Sequence, residues 1–377
     1  MTNGKIPAPR TNQSQKRTTN SIPELRRSLL NWYRRHKRDL PWRRKPSLYR
    51  TILSEFMLQQ TRVDQALPYY ARFLARFPDF ETLAAAPKGD VLKLWEGLGY
   101  YRRAGHLHET AKRLAGRGQA SVEELAGCPG IGPYTLAAIA SIVLGQALPV
   151  VDGNVNRVMA RMLALDRPPA SAAGKARILE TLTAWIAPHA PGDWNQGLME
   201  LGATVCTPRN PQCLLCPWNA RCRAFALEKS EAFPITVPKP ARPHREAAAA
   251  VVHRHDGRLL IAQRPESGML AGLWEFPGAY REKHESLKAC CARGVREETG
   301  VRVQVGKKLA TVRHGYSHFS VSMHIFEAHY GTGRARALGC QSLKWAKPEE
   351  LNAYPFPRVF WQVLKRLAEL AKLRSLR

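Results

Sequence analysis

Apolar residues recur at three- and four-residue spacing along most of the first part of this chain. The repeat is clear at residues 25–33, 48–58, 69–77, 91–98, 135–144, 155–165 and 176–186, and each stretch predicts an amphipathic helix. Little β-branched alternation interrupts them, so residues 22–227 are expected to form an all-α domain. Four prolines (Pro234, Pro238, Pro240 and Pro243) then predict a linker over 228–245. Beyond it the pattern changes. Residues 248–254 and 259–264 predict strands joined at the Asp256-Gly257 turn, and 287–299 a helix. Further strands are predicted at 301–305, 308–313 and 320–328, before a basic amphipathic helix at 359–373. The expectation for 246–377 is an α+β domain. No internal repeat is visible.

Composition sharpens this two-domain picture. A chain of 377 residues is too long for one ordinary core. Its 58 Lys and Arg against 30 Asp and Glu leave a net charge of +28, which predicts a polyanionic partner, nucleic acid or an anionic membrane surface. No apolar run approaches the roughly 20 residues of a membrane span. Residues 1–21 are polar and contain Lys5, Arg10, Lys16 and Arg17 with no acid. They could form a transit peptide, but a disordered basic tail is the expectation.

Eight cysteines are too few for a disulfide framework in a chain of this length. Cys128, Cys290, Cys291 and Cys340 are scattered and read as packing residues. Cys206, Cys213, Cys216 and Cys222 instead follow the spacing C-x6-C-x2-C-x5-C within one proline-containing segment. Zinc ribbons bring paired C-x2-C knuckles from two separated segments, whereas a continuous loop suits an iron–sulfur cubane; spacing alone leaves both open.

Chemistry other than metal binding is also visible. Leu125 to Gly132, ending Gly130-Ile131-Gly132 before an apolar helix, fits a helix–hairpin–helix whose backbone N–H groups approach a phosphate. Asp152 ends an apolar run and precedes Gly153-Asn154 and a helix. It reads as a helix N-cap, or as a carboxylate able to stabilise positive charge on a sugar. Glu55 lies in a helix that is apolar around most of its circumference; burial there would raise its pKa, as a general acid requires.

Taken together, these residues resemble the helix–hairpin–helix DNA glycosylase superfamily, and within it the MutY-type adenine glycosylases. The resemblance is carried by Leu40-Pro41-Trp42-Arg43, the stretch from Ser54 to Thr61, Trp95 to Tyr101, the hairpin, Val151 to Val155, and Met199 to Ala203 leading into the cysteines. It continues past the linker in Gly272 to Gly278 and His314 to His318, where the chain resembles a Nudix-type domain. It implies a multidomain protein: an all-α helix–hairpin–helix glycosylase domain with an iron–sulfur loop at 206–222, then an α+β Nudix-like domain. The implied reaction is excision of adenine mispaired with 8-oxoguanine or guanine, in base-excision repair, after the base is flipped from the duplex.

The resemblance also implies roles for residues. Glu55 matches the acid, Asp152 the carboxylate that stabilises the sugar cation, and Tyr134 and Asn154 supporting positions. Gln60 and Tyr100 match residues inserted into the duplex, and Trp42 and Arg43 part of the adenine pocket. Gly130 and Gly132 belong to the phosphate-binding hairpin. Tyr316, Ser317 and His318 match the loop that reads 8-oxoguanine, with Tyr316 replacing the more usual phenylalanine. The four clustered cysteines match the ligands of one [4Fe–4S] cluster. Related endonuclease III-like enzymes carry a lysine after the hairpin for imine formation; Tyr134 stands there instead, so a monofunctional glycosylase is expected.

In the Nudix-like part, Gly294 occupies the position of an essential metal-binding glutamate. A recognition module is therefore expected rather than a nucleotide hydrolase. The presence of Glu55, Tyr134 and Asp152 together disfavours a non-catalytic DNA-binding protein. Double-stranded DNA carrying the mispair is the expected partner, with no membrane association. A monomer in a bacterial cytoplasm is expected, held at the nucleoid through DNA, and no docking motif for a protein partner is visible.

Overall fold

A computed structural model describes residues 22–238 and 240–375; the basic tail expected at 1–21 lies outside them. Helices come first along the chain: α1 (Ile22–His36), α2 (Pro41–Arg44), α3 (Leu48–Leu58), α4 (Val63–Arg76), α5 (Phe80–Ala85), α6 (Lys88–Leu94) and α7 (Arg102–Leu114). They continue as α8 (Val122–Ala126), α9 (Pro133–Ile142), α10 (Gly153–Leu163), α11 (Ala172–Trp185), α12 (Pro191–Thr204) and α13 (Arg223–Ala226). The strands follow: β1 (His244–His253), β2 (Leu259–Gln263), β3 (Trp274–Glu275) and β4 (Gly278–Tyr280). After α14 (Leu287–Thr299) come β5 (Arg302–Gly315), β6 (Ser320–Thr332), β7 (Ser342–Ala346) and α15 (Trp361–Ser375). Before β1 the described residues contain no strand, which is the all-α region the periodicity predicts.

Contacts divide the chain into two compact units. One joins residues up to Thr51 to Gly132–Val237; the other joins Ile52–Ile131 to Pro238–Arg377, so α3 crosses the division. The first unit is organised around one helical core. Leu25, Leu29, Trp32 and Tyr33 of α1 meet Val155, Val158 and Met159 of α10 and Trp194, Leu198 and Leu201 of α12. Trp218, from the cysteine segment, packs 5.7 Å from Trp194 and donates its indole N–H to the Leu25 carbonyl at 3.0 Å. That burial removes large apolar surfaces from water and fixes where the cysteine segment leaves the core.

The second unit contains helices and a seven-stranded mixed sheet. β1 is parallel to β6 and antiparallel to β2 and β4, while β5 pairs antiparallel with β6. The run Ala247 to Val252 is buried because both faces of β1 are covered. Alternation sends Ala249 and Val251 to the face packed with Val359, Phe360 and Val363, and Ala248, Ala250 and Val252 to that of Cys290, Cys291 and Val295. The strands expected at 301–305 and 308–313 are one, β5, irregular around Gly306 and Lys307. Its register shifts break the alternation that a sequence reading relies on. β3 and β4 are too short to have been predicted, and β7, as long as β2, was missed.

Within this unit the sheet segment is also tied to α6. The Glu96 carboxylate accepts the Phe356 N–H at 2.8 Å and pairs with Lys93 at 2.6 Å, and Lys93 donates to the Tyr354 carbonyl at 3.1 Å.

Candidate active site

In the first unit Asp152 is the N-cap of α10. Its Oδ1 accepts the Val155 N–H at 2.6 Å and its Oδ2 accepts the Asn154 side-chain amide at 3.0 Å. Burial pushes the carboxyl above its ordinary pKa, opposed by these bonds and by Arg157. The relay continues, for Arg157 donates to Asn154 Oδ1 at 2.9 Å, to the Gly202 carbonyl at 2.7 Å and to the Cys206 carbonyl at 2.8 Å. Close packing of α12 on α10 makes this possible, since a Cβ on Gly202 would stand 2.6 Å from Asn154 Cβ. The carboxylate expected from the sequence is therefore joined by hydrogen bonds to the first cysteine of the cluster segment.

One turn further along α10, Arg161 is buried and holds that segment directly. It donates to Cys206 Sγ at 3.3 Å, to the Thr207 and Pro208 carbonyls at 2.7 and 3.1 Å, and to Phe233 O at 3.1 Å. Cys206, Cys216 and Cys222 pack against the helical core. Burial pushes the Cys216 thiol up to about 12, and the other three cysteines add to the rise. Among the described residues no three or more His, Cys, Asp or Glu side chains form a site for a single metal ion. Four cysteines in one segment, with a guanidinium donating to one sulfur, suit thiolate ligation of an iron–sulfur cluster, in which the ligands sit on separate irons.

Tyr134, in the first turn of α9, donates its hydroxyl to Met199 Sδ at 3.4 Å. Trp42 is buried in α2. Arg43 donates to Glu200 Oε2 at 2.9 Å, to Gln196 Oε1 at 3.2 Å and to the Arg38 carbonyl at 3.1 Å. Arg38 completes the set with bonds to Glu200 at 2.7 and 3.0 Å. Burial works to raise the Glu200 pKa, but these two arginines more than offset it and hold the carboxyl below its usual range.

In the second unit Glu55 of α3 is buried, with 7% exposure. Gln60 follows this helix with φ of 57°, and Tyr100 precedes α7 with φ of 50°. A left-handed backbone costs a residue with a Cβ on the order of 1–2 kcal/mol, and such strain clusters at functional sites. Both side chains are exposed, Tyr100 by 46%. Gly130 has φ of 79°, and a Cβ there would meet the Phe56 ring at 2.8 Å and His106 at 2.9 Å, so glycine is required. Gly132, in the first unit, is the exposed N-cap of α9, with open space where a Cβ would stand.

Tyr316 to His318 lie in the connection between β5 and β6. The Tyr316 N–H bonds to the Phe319 carbonyl at 2.8 Å, its ring lies 5.0 Å from that of Phe319, and burial pushes its phenol up to about 12. Ser317 donates to the Tyr100 hydroxyl at 3.4 Å, and His318 is exposed. Elsewhere in this segment Glu285 is held by Arg293 at 2.8 Å, which lowers its pKa to about 2. Glu298 is raised to about 8 by burial and by Glu275 beside it. A Cβ on Gly294 would stand 2.4 Å from the Gly278 carbonyl carbon and 2.5 Å from Ala279 N. Backbone fills the space that a glutamate at 294 would need.

The sequence reading missed Arg103, Arg157, Arg161 and Glu200. Arg157 and Arg161 carried a usable signal: they stand one turn apart in a helix whose other faces are largely apolar.

Family models match in three places: the base-excision DNA repair superfamily with a helix–hairpin–helix at residues 53–182, the iron–sulfur binding domain of endonuclease III at 206–222, and a NUDIX domain at 248–366. An adenine DNA glycosylase of Homo sapiens is 36% identical, over 81% of this chain and 67% of that protein. One of Buchnera aphidicola (Schizaphis graminum) is 30% identical, over 78% of this chain and 84% of its own length. The relative from Arabidopsis thaliana is 36% identical over 76% of this chain, which spans 55% of that protein's length. Among solved structures, a thermostable thymine-DNA glycosylase shares the fold over 57% of this chain and 100% of its own, with a TM-score of 0.50 and 24% identity.

Proposed function

The chain belongs to the adenine DNA glycosylase family, and from that premise we propose that it excises adenine mispaired with 8-oxoguanine or guanine in duplex DNA, initiating base-excision repair. The observation that carries this reading is Asp152 at the N-terminus of α10, half-buried and held by the Val155 N–H and the Asn154 amide. A carboxylate fixed in this way stabilises positive charge on deoxyribose without reorganising during the reaction.

The flipped adenine enters a pocket to which Trp42 and Arg43 contribute. Glu55 donates a proton to N7, the bond between N9 and C1′ breaks, and its electrons leave with the base. Asp152, oriented by Asn154, stabilises the resulting sugar cation until water adds at C1′; Tyr134 supports this pair. Backbone at Gly130 and Gly132 holds a phosphate without reading sequence, while Gln60 and Tyr100 fill the duplex at the vacated position. Tyr316, Ser317 and His318 face the 8-oxoguanine.

Tyr134 has no amine, so no imine forms with the sugar and the strand stays intact. Cys206, Cys213, Cys216 and Cys222 would hold one [4Fe–4S] cluster, which supplies structural order and a DNA-binding surface. The functional division is a glycosylase domain over 22–227, a linker and a recognition domain over 246–377. Diphosphate hydrolysis is not part of this proposal, because backbone occupies the space a glutamate at 294 would need.

The test is a set of duplexes with adenine opposite 8-oxoguanine, guanine or thymine. Free adenine is expected from the first two, with strand breaks only after alkali. Breaks without alkali, accompanied by a borohydride-trapped complex, would contradict the monofunctional mechanism. Equal release opposite thymine would contradict recognition of the mispair.

A further inference from the structure

Among the described residues seven non-glycine positions have a left-handed backbone, and two of them, Gln60 and Tyr100, are bracketed by the bonds of a single side chain. Arg103 donates through Nη1 to the carbonyls of Phe56 at 2.9 Å, Met57 at 2.8 Å and Gln59. Through Nη2 it reaches Thr61 Oγ1 at 2.9 Å and the Gly99 carbonyl at 3.0 Å, and through Nε the Tyr100 carbonyl at 3.4 Å. Gln59 and Thr61 flank Gln60; Gly99 immediately precedes Tyr100.

The guanidinium also lies over the Tyr100 ring at 5.3 Å and the Trp95 ring at 5.4 Å. It is 7% exposed. Neutral acceptors surround it, several of them the last carbonyls of α3, where the helix dipole favours a cation. Burial lowers its pKa to about 10, which leaves it charged at neutral pH. A planar fork of N–H donors suits acceptors from two separate backbone segments, and a lysine ammonium, with three donors at one point, does not.

We propose that Arg103 is a positioning residue that holds Gln60 and Tyr100 together in their left-handed conformations, so that both side chains enter the duplex as one wedge. The proposal rests on the glycosylase reading above for what the wedge does; Arg103 itself touches neither base nor sugar.

The experiment compares the full-length, cluster-containing protein with Arg103→Lys on a duplex with adenine opposite 8-oxoguanine and 2-aminopurine beside the lesion. Fluorescence of the 2-aminopurine reports unstacking by the wedge, and single-turnover adenine release reports chemistry. For Arg103→Lys the fluorescence rise is expected to be largely lost and release slowed about tenfold or more. Cluster absorbance is expected to stay near that of the natural protein, while the unfolding midpoint falls as buried carbonyls lose their donor.

A natural fluorescence rise in Arg103→Lys overturns the proposal, whether or not release is slowed, because slow release would then arise elsewhere. If Arg103→Lys does not fold, Thr61→Val decides, since it removes one acceptor and leaves the guanidinium. A reduced rise supports the proposal and a natural one overturns it. Absence of adenine release by the natural protein would sink the glycosylase reading, while the fluorescence comparison would still decide the role of Arg103.

Discussion

Replacing Asp152 separates what the residue does for folding from what it does for chemistry. As the N-cap of α10 it accepts the Val155 N–H, a role asparagine fills as well and alanine does not; loss of such a cap costs about 1 kcal/mol. Its carboxyl is also raised above the ordinary value, chiefly by burial. A carboxyl that holds its proton more tightly in the folded than in the unfolded state favours folding below the unfolded pKa. That contribution is lost as pH rises through the folded pKa. Ionising Asp152 in the folded protein therefore carries a cost.

Asp152→Asn keeps the bond from the Val155 N–H and removes that cost, but gives up the oxygen that accepts the Asn154 amide. Its stability relative to the natural protein should therefore rise from about pH 5 to about pH 8. Asp152→Ala should unfold about 1 kcal/mol more easily than Asp152→Asn. Both should lose adenine release by a factor of about 10²–10³ or more, the scale on which removal of a preorganised electrostatic group acts. Urea unfolding at the two pH values and single-turnover release measure these effects. An Asp152→Asn protein whose stability relative to the natural one falls from about pH 5 to about pH 8, or one that releases adenine within about tenfold of the natural rate, would contradict this.

Arg157→Gln removes donors to Asn154 Oδ1 and to the Gly202 and Cys206 carbonyls. Single-turnover release should slow by about tenfold or more while iron content stays near the natural value. Gly130→Ala combines a left-handed backbone with contacts under 3 Å to Phe56 and His106. About 1–2 kcal/mol of strain and about 1–3 of overpacking should lower unfolding stability by about 2–5 kcal/mol, and affinity for undamaged duplex should fall as the hairpin shifts. Gly294→Glu forces a side chain into the Gly278–Ala279 backbone; it should destabilise the protein in urea, and pyrophosphate release from 8-oxo-dGTP should remain at background.

Much of the fold was legible because its periodicities are strong. Apolar spacing alone predicts α3 and α14 at their observed bounds, and the strand expected at 248–254 overlaps β1. The rest was illegible for physical reasons. β5 carries bulges that break its alternation, and in β7 (Ser342–Ala346) the polar Ser342 and Lys344 leave no apolar run to read.

At the site, Asp152, Gly130 and the cysteines stand out because their residue types are unusual for their positions. Gln60 and Tyr100 do not, since nothing in a glutamine or a tyrosine predicts a left-handed backbone. Arginines in helices ordinarily face solvent. Tertiary structure alone reveals that Arg103 turns inward to bind carbonyls of α3, whereas the positions of Arg157 and Arg161 one turn apart in α10 already carried a signal.

The central claim is acid-assisted release of adenine by a chain in which Glu55 supplies the proton. Its most direct test is single-turnover adenine release from a duplex with adenine opposite 8-oxoguanine, comparing the natural protein with Glu55→Gln. Release by the natural protein is expected, with a loss of about 10²–10⁴ in the variant and DNA binding retained. Release by Glu55→Gln at the natural rate would remove Glu55 as the acid, and no release by a folded natural protein with its cluster intact would contradict the glycosylase assignment itself.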